Sequence, residues 1–179
     1  NKYFAQGSGA GNFFMYDPFA VAGNYPRGVD ASEYPDWHTV LAEEFTTEGR
    51  DLTIRLREDH TWHDGDSVLA EDVVLQHRLE KAIGARTGGV WEEIAAPDNR
   101  TVEFTLTSAN TDISLPQLLP NRLRVKRGTA YQDLYEAIES ATTDEERQQA
   151  KGEVTTTRID NAVGTGLWKL ETTSSSQLT

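Results

Sequence analysis

The sequence contains no cysteine. That excludes Cys-based zinc sites and leaves the redox compartment undecided. No apolar run approaches the roughly 18 residues that a membrane-spanning helix needs. Lysine is scarce: Lys2, Lys81, Lys126, Lys151 and Lys169 are the only ones, and the other basic residues are arginine. There is no signal-peptide pattern, and Asn1 is not an initiator methionine. The expectation is therefore a fragment or a processed chain. The glycine-rich start, GSGAGN at 7–12, is neither G-x-G-x-x-G nor a P-loop. It carries no nucleotide signal.

Positive charge is also short. Seventeen basic residues face 29 acidic ones, for a net charge of −12 and a pI near 4.7. Such a surface repels nucleic-acid phosphates, which excludes a DNA or RNA role. The acid-rich, lysine-poor, threonine-rich composition points to a high-salt source, because salt screens the self-repulsion of a dense carboxylate surface. An ordinary acidic secreted domain is the plainer alternative. At 179 residues and 19.9 kDa the chain is long enough for one domain that buries about 70% of its unfolded surface.

The most informative stretch is 52–79, LTIRLREDHTWHDGDSVLAEDVVLQHRL. Leu52, Ile54 and Leu56 alternate with Thr53, Arg55 and Arg57, which predicts a half-buried strand. Val73, Val74, His77 and Leu79 instead follow a helical stripe, which predicts a helix over about 70–83. Between them, His63-Asp64-Gly65-Asp66 reads as a tight turn. Gly65 tolerates positive φ there, and the aspartates can accept from nearby N–H groups.

Elsewhere, 12–20 is expected to form a helix after the glycine loop. Tyr25-Pro26 and Tyr34-Pro35 mark turns. A turn containing Gly49 leads into the strand at Asp51. Val90 to Ala95 and Thr101 to Leu106, joined by Pro97-Asp98-Asn99, form an expected hairpin. Two helices are expected over 129–140 and 143–156. The second opens on Thr143 followed by three acids, a good N-terminus, and is polar enough to face solvent.

Four separated strings then resemble one family. They are Leu56-Arg57 with Trp62-His63-Asp64-Gly65 and Ala70-Glu71-Asp72-Val73-Val74; Leu41-Ala42-Glu43; Ala96-Pro97-Asp98 with Thr101-Val102 and Phe104; and Val163-Gly164-Thr165-Gly166 with Lys169-Leu170. Taken in chain order they resemble the family-5 solute-binding proteins of ABC importers, which take dipeptides, oligopeptides, nickel or, in some members, oligosaccharides. Asn12 to Phe19 is similar to a further family segment beside the ligand cleft. The sequence departs at Leu69, where the family has a capping Thr, and at Leu167, where it has Pro. Ser67 or Asp66 is expected to cap the helix instead, with Asp72 facing its positive end.

The resemblance implies a mixed-sheet α/β large lobe with a small inserted subdomain, in an incomplete periplasmic-binding-protein-like (class II) fold. Residues 1–57 and 163–179 would belong to the large-lobe sheet. Residues 58–162 would hold the helix, hairpin and inserted subdomain, and the second lobe would lie outside this chain. It also implies an extracellular receptor without enzymatic activity or cofactor. Its partners would be a small peptide or oligosaccharide and the permease subunits of an ABC importer. Any lipid anchor would sit in a segment not present here. Family specificity residues lie largely in the other lobe. On this wall Asn12, Phe13 and Trp91 are the expected ligand contacts, by hydrogen bonding and ring stacking. Phe13 and Trp91 also fit core positions. His63, Asp64, Gly65, Asp72, Gly164, Thr165 and Gly166 are read as structural motif residues.

A metal-dependent hydrolase using His60, His63 and Asp64 is the competing reading. The two histidines flank a turn, however, and no H-E-x-x-H accompanies them. Gly65 and Glu71 match calcium-loop offsets from His60, but His60 and Trp62 stand where that loop needs carboxylates. No G-x-S-x-G marks a serine nucleophile. No metal is expected at this turn, whose His63 and Asp64 are expected to hold it closed.

Overall fold

A computed structural model of the chain describes residues 15–22, 37–109, 125–157, 163–167 and 169. Strands β1 (Ala20–Ala22) and β2 (Trp37–Thr39) pair antiparallel in a small sheet. Strands β3 (Ala42–Glu48), β4 (Asp51–Leu56), β5 (Trp91–Ala95) and β6 (Thr101–Leu106) make a four-stranded antiparallel sheet in the order β3-β4-β6-β5. Helix α1 (Ala70–Ala82) crosses between β4 and β5, and α2 (Gln132–Ser140) and α3 (Asp144–Thr156) form a helical hairpin.

Alternation in the strands settles which side of the sheet is buried. Leu52, Ile54 and Leu56 on β4 share a face with Val102, Phe104 and Leu106 on β6, in a register that pairs Leu52 with Phe104 and Ile54 with Val102. All six are buried, together with Trp91 and Ile94 of β5 and Val73 and Val74 of α1. Each such side chain contributes about 1.5–3 kcal/mol relative to exposure. The opposite face carries Arg55 and Glu103 toward solvent. A second, smaller core forms where Leu79 of α1 meets Tyr131, Ile138, Ala150 and Val154.

The period switch at the Asp-Gly turn is therefore real: strand on one side, helix on the other. Two expectations are corrected. Residues 16–19 are not helical, and Ala20–Ala22 is a strand. The Phe19 carbonyl accepts from the N–H groups of Val40 and Ala42, so tertiary pairing takes this segment's backbone bonds from any helix. Neither Ser67 nor Asp66 caps α1. Leu69 occupies the N-cap position, and the Asp72 carboxylate reaches back to its N–H at 3.4 Å. Leucine offers no oxygen in return, so only half of a capping box exists. The β5–β6 hairpin pairs directly with β4 through β6.

Thr143 does cap α3, as its sequence predicts. Its hydroxyl accepts from the Glu146 N–H at 3.2 Å, and the Glu146 carboxylate accepts from the Thr143 N–H at 3.1 Å. These bonds to Thr142 and Thr143 hold the Glu146 carboxyl below the usual range. At the other end of α1, Gly84 takes φ 77°, a left-handed stop that a Cβ would penalise.

Candidate functional site

Four segments distant in sequence converge on the turn after β4. The turn itself is a miniature hairpin. The Trp62 N–H donates to the Asp66 carbonyl at 2.8 Å, the Gly65 N–H to the Trp62 carbonyl at 2.9 Å, and Thr61 bridges Ser67. Gly65 has φ 96°, the positive value expected of it. Asp64 accepts from the Asp66 N–H at 3.2 Å, so its side chain braces the turn from inside.

His63 points away from the turn and grips residues a hundred positions later. Its N–H donates to the Gly164 carbonyl at 2.9 Å. Its Nδ1 accepts from the Gly164 N–H at 3.3 Å, and its Nε2 lies 2.7 Å from the Gly166 carbonyl. The same 163–167 segment is held from its other side. The Gly166 N–H donates to the Met15 carbonyl at 2.9 Å, and the Asp17 N–H donates to the Thr165 hydroxyl at 3.1 Å.

The fourth segment, 125–129, lies along α1. A buried polar stripe of that helix, Asp72, Gln76 and Glu80 at successive four-residue steps, receives it. Asp72 accepts from the Trp62 indole at 3.3 Å, the Thr129 N–H at 3.2 Å and the Thr129 hydroxyl. Gln76 accepts from the Lys126 N–H at 2.7 Å and donates to Glu80 at 2.8 Å. The Arg127 guanidinium returns to the turn, meeting Asp64 at 2.7 Å and Asp66 at 2.5 Å. The hydrogen bond that Arg127 donates to Asp66 is the largest influence raising the Arg127 pKa above its usual value, ahead of the charge of Asp64.

Burial governs the titrating groups beneath this junction. Desolvation lowers the Lys126 ammonium to about 8, partly offset by the Glu80 carboxylate. It raises the Tyr16 phenol to about 12. The Tyr131 phenol is pushed up as well, by burial and then by Tyr16. The Lys126 Nζ sits 5.9 Å from the centre of the Tyr16 ring.

His63, Asp64, Gly65, Asp72, Gly164, Thr165 and Gly166 meet at one junction. Asn12 and Phe13 lie outside the described residues. Trp91 is 3% exposed, edge-on to Phe104, with the Lys81 Nζ 4.0 Å from its ring centre, which fits the core position that the sequence also allowed for it.

Both His63 nitrogens are spent on backbone groups, while His60 lies 3.7 Å from Asp17. Among the described residues no three metal-ligating side chains gather. Sequence reasoning missed Met15, Asp17, Gln76 and Arg127, whose roles depend on partners 40 or more residues away. One open groove of about 420 Å³ lies between the first turns of α1 and the β5–β6 turn, with Glu71, Arg78 and Asp98 among its lining.

The sequence profile described as bacterial extracellular solute-binding proteins, family 5 Middle, matches residues 36–179. The chain belongs to this family. No curated protein matches this family-5 chain by sequence. Solved structures do match its fold. One is the periplasmic oligopeptide-binding protein of an oligopeptide ABC transporter from Thermotoga maritima, at 19% identity and TM-score 0.58 over 92% of this chain. Another is a dipeptide-binding protein from Pseudoalteromonas sp. SM9913 in complex with Met-Leu, at 14% identity and TM-score 0.60 over 90% of this chain. A third is the binding protein AgaA from A. tumefaciens R10 in complex with agropinic acid, at 16% identity and TM-score 0.58 over 92%. The family-5 chain spans 27%, 32% and 28% of these three structures, respectively. Its mixed α/β architecture is thus part of a periplasmic-binding-protein-like fold.

Proposed function

We propose that this chain forms part of an extracellular receptor that captures small peptides and passes them to the permease subunits of an ABC importer. The observation carrying this reading is the family match over 36–179. Peptides are favoured over other solutes because similar folds include the Met-Leu complex and a Helicobacter pylori protein in complex with the peptide STSA. One structure in the same group holds mannohexaose, so an oligosaccharide is the second candidate. The chemistry is binding without covalent change.

On this reading the junction at His63 is scaffold. The contacts to solute come from residues just upstream of Met15, with Asn12 hydrogen bonding and Phe13 stacking. One lobe supplies only part of the contacts, since a two-lobe receptor gains affinity by closing and expelling water. Isothermal calorimetry of the full-length protein against di- to pentapeptides and against mannohexaose tests this. Heat on peptide addition, lost in Asn12→Ala and Phe13→Ala, supports the assignment. Equal affinity of this chain alone would remove the two-lobe argument, and no heat from any peptide would remove the peptide reading.

A further inference from the structure

We infer that His63 is a two-sided positioning residue, a neutral imidazole carrying its proton on Nε2, that sets the spacing of the 163–167 segment against residues 15–17. The tautomer follows from the partners. A carbonyl oxygen can only accept, so the Nε2 2.7 Å from the Gly166 carbonyl carries the hydrogen. An amide N–H can only donate, so the Nδ1 3.3 Å from the Gly164 nitrogen is bare. One flat ring thereby bridges a donor and an acceptor two residues apart on the same strand of chain. The His63 N–H adds a third bond, to the Gly164 carbonyl.

The segment so held has little freedom on its other side. A β-carbon at Gly164 would stand 1.8 Å from the Met15 carbonyl oxygen and 3.3 Å from His63 Cε1. The Gly166 N–H meets that same Met15 carbonyl. His63 and Met15 therefore clamp the segment between them. The charged groups around the clamp have other work: Asp64 and Asp66 bind Arg127, and Asp17 faces His60. Lys126 is buried beneath, beside Glu80 and Tyr16. The two bonds from the ring add to the backbone bonds from His63 and Met15 and to the Asp17 bond to Thr165 in holding 163–167. If the receptor reading holds, the clamp fixes the chain that enters the cleft wall at Asn12 and Phe13. That consequence rests on the reading, whereas the clamp itself does not.

Two substitutions separate the bonds. In His63→Gln the amide nitrogen reaches the Nε2 position and keeps the donor to Gly166, while the acceptor near Gly164 is lost. In His63→Asn the oxygen stands at the Nδ1 position and keeps the Gly164 bond, while Gly166 is out of reach. Amide hydrogen exchange at Gly164 and the carbonyl carbon-13 shift of Gly166, both in the full-length protein without ligand, read the two bonds separately. The expected pattern is crossed: about fivefold faster exchange at the Gly164 N–H in H63Q only, the factor set by one lost hydrogen bond, and a moved Gly166 carbonyl shift in H63N only. A residue that merely supports the turn would change both readouts alike in both variants, and that result would overturn the inference. Nitrogen-15 spectra of the wild-type ring give a second readout that needs no variant to fold. A proton on Nδ1, or on both nitrogens at neutral pH, overturns it equally. Absence of peptide binding with the crossed pattern intact would count against the receptor reading alone.

Discussion

Gly164 lies so close to Met15 that any side chain at 164 would collide with the backbone: its β-carbon would sit 1.8 Å from the Met15 carbonyl oxygen and 2.8 Å from the carbonyl carbon. Backbone cannot step aside as a flexible side chain can. Gly164→Ala should therefore cost 3 kcal/mol or more, at or beyond the upper end of the roughly 1–3 kcal/mol typical of overpacking. Urea unfolding of the wild-type and variant proteins measures this. A difference within about 0.5 kcal/mol, the range of neutral surface changes, would show that the two segments are not in contact.

The Asp72 carboxylate serves the Trp62 indole, the Leu69 N–H and both donors of Thr129. Asp72→Ala strands several buried donors at once. The expected loss is about 3 kcal/mol or more, from hydrogen bonds to a charged acceptor and the desolvation of what is left. Asp72→Asn, which keeps one acceptor oxygen, should recover part of it. Chemical denaturation of both variants checks the order, and an alanine variant as stable as the asparagine one would contradict it.

Alkaline titration should show a maximum. Lys126 has its folded pKa lowered from 10.5 to about 8, so burying it disfavours the charged form. Its contribution to stability is present above the unfolded pKa and lost as pH falls through the folded one. Tyr16 is raised from 10.0 to about 12, so its contribution is full below 10.0 and lost as pH rises through 12. Stability should climb from about pH 8, turn near pH 10 and decline beyond it. Lys126→Met should flatten the climb and leave the decline. Denaturation midpoints between about pH 7 and 12 read both limbs, and a wild-type profile that only falls would rule the Lys126 assignment out.

A net charge of −12 predicts a response to salt. Screening relieves self-repulsion among the excess carboxylates, and it weakens exposed pairs such as Arg57–Asp59 by less than that gain. The melting temperature should rise from dilute buffer to molar KCl. A flat or falling curve would remove the case for a high-salt source.

How far the sequence foretold this arrangement depends on the distance over which each residue acts. Leu52, Ile54 and Leu56 announce their strand because burial repeats every second residue. Thr143 and Glu146 announce their cap because both partners lie within one turn. By contrast, nothing local says that Gln76 and Glu80 are buried, since polar residues on a helix normally face water. Their burial depends on Lys126, whose N–H meets Gln76 across 50 positions. Residues 12–20 are expected to be helical after the glycine loop, yet Val40 and Ala42 claim the carbonyl of Phe19. His63 was legible as a motif residue at a turn. Its grip on Gly164 and Gly166 was not, because spacing along the chain carries no sign of a partner 101 or 103 residues away.

The clamp also fixes an order of assembly. The β3–β4 hairpin, α1 and the β5–β6 hairpin connect near neighbours in the chain and can form as soon as residue 106 is available. The bond between Asp17 and Thr165 spans 148 positions, and closing so long a loop comes late and slowly. On a ribosome adding about 5–20 residues per second, residues 15–19 emerge well before their partners at 163–167 and wait for them. Phe19 and Tyr16, both buried at the end, spend that interval exposed. Residues 15–19 are thus a natural point of contact for chaperones and for aggregation, although in the finished protein Tyr16 and Phe19 are enclosed.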